Sequence, residues 1–222
     1  MTTDEIKEKL ASKKSTDRLR AVKKISKEKI SELANELFEA YLKERKDLRT
    51  WEPQSEMIKA LGILDHKPAF KYVEEIVRKN IPHDMITINA SIAFVQLKRT
   101  SIFDAKPVLE LLSFGSTSVI CGALEALAED KMLPPKNEIE EILKISWDIN
   151  KHKDRIGHEY GLIDPRYYLA IACAGWDKTL CTDFLNHCIE TAYNISRFDK
   201  PVENTSLINV CKKSLKGKYS NL

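Results

Sequence analysis

The polar segment at residues 150–163 contains the side chains best suited to chemistry. It carries two of the five histidines and two of the seven glycines. Nitrogen and oxygen donors of the kinds that ligate metal ions stand at His152, Asp154, His158 and Glu159. The last two are also the types that act as a base and its orienting partner. Their spacing lacks the His-Glu-x-x-His register that places two imidazoles on one helical face, so we predict no metal site, no cofactor and no catalytic centre here.

An interaction loop is the preferred interpretation of the same segment. Loops this long in a compact helical protein are more often functional than short connectors. Arginine and tyrosine are enriched among the residues that anchor interfaces. The predicted contact residues in the loop are Arg155, His158 and Tyr160, with Tyr167 beside them.

Polar side chains on the neighbouring predicted helices extend this surface. These are Glu138 and Glu141 before the loop, and Asp183, Asn186 and Glu190 after it. Four of the five are carboxylates, which favour a basic partner through charge complementarity. The predicted partner is therefore another protein, such as a basic toxin or enzyme domain.

The cysteines offer a second possible chemistry. Cys188 follows His187, but adjacent residues of a helix point about 100° apart, so the two side chains do not face each other. The five cysteines are an odd number without a Cys-x-x-Cys pair. We expect buried, free and inert thiols, Cys173 and Cys188 among them, in a reducing compartment.

Composition limits the class of protein. Seven glycines and eight prolines in 222 residues are too few for the frequent turns of a β-sandwich or barrel. A phosphate-binding glycine-rich loop is also not expected. No apolar run approaches the roughly 18 residues of a membrane span, and the first residues are polar rather than signal-like. These features predict a cytoplasmic, all-α protein with no membrane contact.

Charge is unevenly distributed along the chain. Residues 1–50 and 203–222 are basic, whereas residues 51–202 are mildly acidic. The lysines and arginines between Lys13 and Lys29 are of the type that binds phosphates, but no aromatic residues interleave with them. Solvated helix faces are the preferred interpretation of these charges.

An internal repeat organises the chain. Ala60, Ala93 and Ala126 occupy the same place in three similar apolar segments, at two spacings of 33 residues. Looser copies surround Ala21 and Ala172. A period between 20 and 50 residues is the signature of a solenoid whose stacked units bury a shared core.

A partner helix is predicted after each of these segments. Apolar residues at helical spacing begin near Leu33, Phe70, Val108, Ile139 and Leu180. The capping residues Asp65, Asp164 and Asp177 are expected where helices start. We expect about twelve helices in six pairs.

The chain resembles HEAT-type repeat proteins in three places. These are Thr16 to Ile25, Lys59 to Leu64 and the helix start Asp164-Pro165-Arg166 to Ala170, which combine an acidic or proline start, an arginine and Ala-Leu packing positions. The resemblance extends loosely over residues 15–215. It implies a right-handed α-α superhelix, forming a single domain over residues 1–222.

Such a stack presents an extended surface suited to a partner, and no catalytic constellation accompanies it. We therefore predict a non-enzymatic protein that binds and inhibits a partner, as an immunity protein does to a toxin, or that serves as an adaptor. The alternative is a nucleic-acid-binding or DNA-repair protein of the HEAT-like glycosylase kind. Basic residues converging with exposed aromatic residues in one groove would favour that alternative.

Overall fold

The computed structural model of the chain describes residues 1–47, 49–147, 149, 164–195 and 201–221. Twelve α-helices and one hairpin of two three-residue strands form the regular structure of these residues. The predicted all-α class and the predicted number of helices are confirmed, and the hairpin is the addition that the periodicity did not indicate. In chain order the elements are α1 (Thr3–Leu10), α2 (Ser15–Glu28), α3 (Ala34–Glu44), α4 (Trp51–Ile63), α5 (Phe70–Lys79), α6 (Met85–Lys98), α7 (Lys106–Phe114), α8 (Thr117–Glu129), α9 (Lys136–Ser146), α10 (Arg166–Ala172), α11 (Lys178–Glu190), β1 (Tyr193–Ile195), β2 (Pro201–Glu203) and α12 (Thr205–Ser214).

The helices form two layers. In the even layer, α2, α4, α6, α8, α10 and α12 pack in order, each against the next. In the odd layer, α3, α5, α7 and α11 each pack against the even helix that follows them, while α9 contacts α7 and α11. One hydrophobic core runs between the layers along the described chain. The fold is therefore a stack of helix pairs, compatible with a helical solenoid.

The repeated alanines lie at the contacts between even helices. Ala60, Ala93, Ala126 and Ala172 are all buried, as their spacing predicted. Glycines bring α6 still closer to its neighbours on both sides. A Cβ added to Gly62 would lie 2.7 Å from the Ala93 Cα, and one added to Gly122 would collide with the Ile88 carbonyl oxygen. Backbones thus approach where a larger side chain has no room.

Helix α6 is the centre of the stack. Every residue from Asn89 to Leu97 is buried, so the helix has no solvent-facing side along this stretch. A helix that is buried all round belongs to the core of a protein. Its polar side chains find partners there, as where the Asn89 amide donates to the Ser55 hydroxyl at 2.8 Å. Asp84 caps the amino end by accepting from the Thr87 N–H.

A buried arginine holds the C-terminal pairs together. Arg166, the first residue of α10, has no solvent-exposed surface. Its guanidinium lies 2.7 Å from the Asp164 carboxylate, and it also donates to the Thr191 hydroxyl at 2.7 Å. Thr191 follows the last residue of α11. One side chain therefore ties the start of α10 to the end of α11.

Candidate interaction surface

The side chains predicted to contact a partner divide into two groups. Arg155, His158 and Tyr160, with the whole segment 150–163, lie outside the described residues. The polar residues on the flanking helices belong to the odd layer, on α9 and α11. Of these, Glu141, Asp183, Asn186 and Glu190 are exposed. They remain available to a partner along two helices that contact each other.

Glu138 differs from the other predicted contact residues because it is buried. Its carboxylate accepts a hydrogen bond of 2.8 Å from the Ala105 backbone N–H, immediately before α7. The acid thus satisfies an N–H at the start of a neighbouring helix, where the helix dipole also favours negative charge. In this structure Glu138 connects α9 to α7 and is used within the fold.

The segments that follow successive even helices meet at one edge of the stack. The Leu133 N–H, after α8, donates to the Ile102 carbonyl, after α6. The Trp176 indole, after α10, donates to the Met132 carbonyl at 2.8 Å. The Lys67 ammonium, after α4, donates to the Leu97 carbonyl at the end of α6. The carboxyl ends of four even helices therefore lie side by side.

This edge exposes a row of apolar side chains, which we call the edge patch. Its members are Ile102, Phe103, Leu133 and Tyr219, which are 40%, 57%, 38% and 37% exposed. Leu133 is hydrogen bonded to Ile102, and both Leu133 and Tyr219 lie against Gly175. The segments that carry the patch are thus in contact with one another, from the α6–α7 connection to the last described residues. Contiguous exposed apolar surface with a polar rim marks interaction sites on soluble proteins.

Gly175 makes this continuity possible. A Cβ at this position would collide with the Tyr219 hydroxyl and lie 3.4 Å from a Leu133 methyl carbon. The Tyr219 ring is held on its other side by the Lys131 ammonium, 4.9 Å from the ring centroid. The C-terminal segment therefore docks its aromatic side chain on the edge and extends the patch.

A groove of about 690 Å³ adjoins the edge patch and shares Ile102 with it. Its walls come from the carboxyl ends of α2, α4, α6 and α8. They are Ser26, Lys29, Lys59, Gly62, Ile63, Asp65, Gln96, Arg99, Thr100, Ser101, Ile102, Glu129 and Asp130. Three basic and three acidic side chains line the groove, so charges of both signs lie beside the apolar edge patch.

Ion pairs occupy the wall of the groove. Lys59 of α4 lies 2.6 Å from Glu129 and 3.4 Å from Glu125, both on α8. Arg99 lies 2.8 Å from Asp130. Because α6 lies between α4 and α8, the Lys59 pairs bridge two helices across a third. They close the face of the stack over the buried helix.

Glu125 is the unusual carboxylate of this network. Burial raises its pKa above the ordinary value, and the nearby Glu129 charge acts in the same direction, although Lys59 opposes both. The Tyr168 hydroxyl of α10 donates to it, and burial with the Glu125 charge raises the pKa of that phenol. The cluster joins α4, α8 and α10 through hydrogen bonds and charge. The charged and polar groups of this cluster interact with one another, so we interpret the cluster as a structural link between the three helices.

The predicted burial of the thiols is confirmed, and their inertness stays a prediction. All five cysteines are buried, and each is a thiol outside any disulfide. Burial raises the pKa of Cys121 to about 12 and that of Cys173 well above its ordinary value, which keeps both as neutral thiols. A neutral buried thiol is a poor nucleophile. The His187 ring stacks on Trp147 with 4.5 Å between centroids, so it is turned toward an aromatic neighbour.

Comparison with known proteins returns no relative. No family model, curated protein or solved structure matches the chain. Among the described helices, none has the length and apolar character needed to cross a membrane. In the described part of the chain, no three His, Cys, Asp or Glu side chains are grouped as metal ligands would be. The surface of the stack is therefore the feature that bears on function.

Sequence reasoning missed this surface. Ile102 and Phe103 lie in a connection between predicted helices, where isolated apolar residues carry no periodic signal. Tyr219 lies 86 positions after Leu133 in the chain, and the two meet only because the stack brings their segments to one edge. The one signal in the sequence is that Ile102 and Phe103, two adjacent large apolar residues, fit no helical pattern.

Proposed function

We propose that this protein is a non-enzymatic helical scaffold that binds a partner protein through the edge patch and the adjoining groove. The observation that carries the proposal is that four exposed apolar side chains, Ile102, Phe103, Leu133 and Tyr219, lie on segments that meet at one edge. Burying it against a partner would supply the apolar centre that stable interfaces have. The charged groove beside it would supply the polar rim and the specificity.

The proposal includes the finer architecture and role expected from the HEAT resemblance. A right-handed superhelix would bring the carboxyl ends of its parallel even helices to one edge, which agrees with the meeting of these segments. Inhibition of the partner, as an immunity protein inhibits a toxin, and service as an adaptor are the two roles of this kind. The exposed carboxylates of α9 and α11 would add contacts to a basic partner.

The experiment compares two variants in which an exposed aromatic residue is replaced by aspartate. Phe103→Asp places a charge in the edge patch, and Trp51→Asp is its matched control, since Trp51 is an equally exposed aromatic residue (52%) at the start of α4. Partners are captured with each variant and with the unaltered protein, identified by mass spectrometry, and titrated by calorimetry. Circular dichroism confirms that each variant is folded.

A partner that uses the edge patch should bind Phe103→Asp at least about 30-fold more weakly, which corresponds to the roughly 2 kcal/mol lost at an interface hot spot. Trp51→Asp should leave its affinity unchanged. Equal affinity for all three proteins would contradict the proposal, as would a loss confined to Trp51→Asp. In either case the interaction surface lies elsewhere.

A further inference from the structure

The first even helix carries the strongest concentration of one charge in the chain. Residues 12–29 contain eight lysines and arginines against two acidic residues. Six of these cations are exposed, and we call them the basic face. They are Lys13, Lys14, Arg20, Lys23, Lys27 and Lys29.

The fold places these cations along one line. Arg20, Lys23 and Lys27 are spaced by three and four residues, which puts them on one side of α2. The opposite side, with Ala21, Val22 and Ile25, is buried in the core. Lys13 and Lys29 stand beyond the two ends of the helix. At a rise of about 1.5 Å per residue, the line of charge is on the order of 20 Å long.

Within the described residues, most of the basic face is not paired with an acidic side chain. No described carboxylate lies within 4 Å of the amino or guanidinium groups of Lys13, Lys14, Arg20, Lys27 or Lys29. Lys23 alone approaches one, Glu52 of α4, at 3.4 Å. The two acidic residues of α2 are taken by other cations, because Asp17 lies 3.8 Å from Lys9 and Glu28 pairs with Lys24.

Several cations farther along the stack are paired with carboxylates. Arg78 of α5 lies 2.6 Å from Glu110 of α7 and also contacts Glu74. Lys98, at the end of α6, binds the same Glu110 at 2.6 Å. Arg45, next to α3, lies 3.1 Å from Glu75 of α5. These pairs link successive helix pairs, whereas five of the six cations of the basic face have no such pair among the described residues.

The chemistry of the basic face favours phosphates over a protein or a lipid surface. Protein interfaces are depleted of lysine and need an apolar centre, which this line of charges lacks. Membrane-surface helices insert an apolar face, and that of α2 is already buried in the core. Lysine and arginine along a rigid rod are the groups that contact nucleic-acid backbones.

We propose that the basic face binds the phosphate backbone of duplex nucleic acid without reading its sequence. Arg20, Lys23 and Lys27 make the central contacts, and the lysines at the two ends extend them. Thr16, one turn before Arg20, is the remaining exposed side chain in line with them. Side chains of this kind position a protein on a duplex but carry no base preference.

The number of cations sets the expected behaviour. Neutralising four or five phosphates gives a slope of about −4 for the logarithm of the binding constant against the logarithm of the salt concentration. The dissociation constant at physiological salt should fall in the range of about 10⁻⁴ to 10⁻⁶ M that is usual for non-specific binding.

Fluorescence anisotropy tests this proposal with labelled DNA duplexes of two unrelated sequences, between 50 and 200 mM salt. The variant is Arg20→Gln/Lys23→Gln/Lys27→Gln. The matched control is Lys43→Gln/Lys106→Gln/Lys144→Gln, which removes three exposed lysines from α3, α7 and α9. The two variants have the same net charge, so a difference between them reports position alone.

The unaltered protein and the control variant should have similar affinities for DNA, and each should bind the two duplexes with the same affinity. The slope of the salt dependence should be about −4 for both proteins. The α2 variant should bind at least tenfold more weakly at 100 mM salt, with its slope reduced to about −1. No binding by the unaltered protein at 50 mM salt would overturn the proposal. Equal losses in the two variants would also overturn it, as would tighter binding to polyglutamate or to anionic vesicles than to DNA.

Discussion

The middle and the C-terminal end of the stack are held together by different means. Helices α4, α6 and α8 meet through glycine and alanine, so their contact depends on shape. At the C-terminal end, the start of α10 is joined to the end of α11 by the buried Arg166 guanidinium, which pairs with Asp164 and donates to Thr191. Close packing tolerates little added volume, and a buried ion pair tolerates little loss of either partner. The two regions should therefore fail under opposite kinds of substitution.

The largest effect is expected from removing the charge at the C-terminal end. Arg166→Met leaves the Asp164 carboxylate, 9% exposed, without its cation. Leaving one partner of a buried ion pair uncompensated costs about 3–5 kcal/mol. Chemical denaturation monitored by circular dichroism measures this loss in the free energy of unfolding.

The double variant Arg166→Met/Asp164→Asn is the control, since it removes both charges and keeps an amide that can cap α10. It should recover a large part of the stability. A single variant as stable as the unaltered protein would contradict the role of the pair.

A larger side chain should destabilise the middle of the stack, where α4, α6 and α8 meet. Ala93→Leu introduces three carbon atoms where α6 touches Gly62. Overpacking of this kind costs about 1–3 kcal/mol, and this site should lie at the upper end because a backbone is in the way. The thermal midpoint reports the effect. Leucine at the half-buried Ala34, the first residue of α3, should be tolerated.

A single methyl group is a finer test of the same contact. Gly122→Ala directs a Cβ at the Ile88 carbonyl oxygen. The helices α6 and α8 must then separate by a small distance, and we expect a loss of about 1–2 kcal/mol despite the better helix propensity of alanine. An increase in the thermal midpoint would show that the two backbones are not in contact.

The smallest effect is expected from removing the carboxylate charge of Glu125, in the middle region of the stack. The pKa of Glu125 is raised above its ordinary value of 4.5 by burial. The native state therefore retains a proton that the unfolded chain has lost, and this contribution to stability falls as the pH rises from about 4.5 through the native pKa. Glu125→Gln imitates the neutral form. At pH 7 it should increase the free energy of unfolding by under about 1 kcal/mol, seen as a slightly higher thermal midpoint, and at pH 4 it should leave the midpoint unchanged.

The control for this substitution is Glu129→Gln, which removes the carboxylate closest to Lys59. It should not increase stability at pH 7. A lower midpoint for Glu125→Gln at pH 7 would mean that the ion pair with Lys59 outweighs burial, and the charged network would then resemble the C-terminal pair.

The repeat could be predicted because small residues recur wherever even helices touch. Ala60, Ala93 and Ala126 keep one spacing since each unit solves the same packing problem. The cap predicted at Asp177 is present, because its carboxylate accepts from the Thr179 N–H. Asp65 is different. It adopts a left-handed backbone conformation (φ 52°) just after α4, and the next helical turn begins after His66.

The candidate surfaces were harder to predict because they depend on which residues the stack brings together. Arg166 was expected to begin a helix, which it does, but its burial follows from the position of Thr191. The basic run before Lys29 was visible along the chain. Only the structure separates Arg18, which donates to Glu44 at 2.7 Å, from Arg20, which faces solvent.

The complete enclosure of α6 also has a consequence for the order of events during folding. Its backbone amides are shielded by even helices on both sides, so they should exchange with deuterium only when the whole stack opens, whereas α1 and α12 can fray singly. During synthesis, α6 leaves the ribosome before α8 exists to cover it. A nascent chain that stops in that interval exposes a helix whose apolar and polar side chains are all meant to be buried, so the first half of this protein is prone to aggregation until the second half is synthesised.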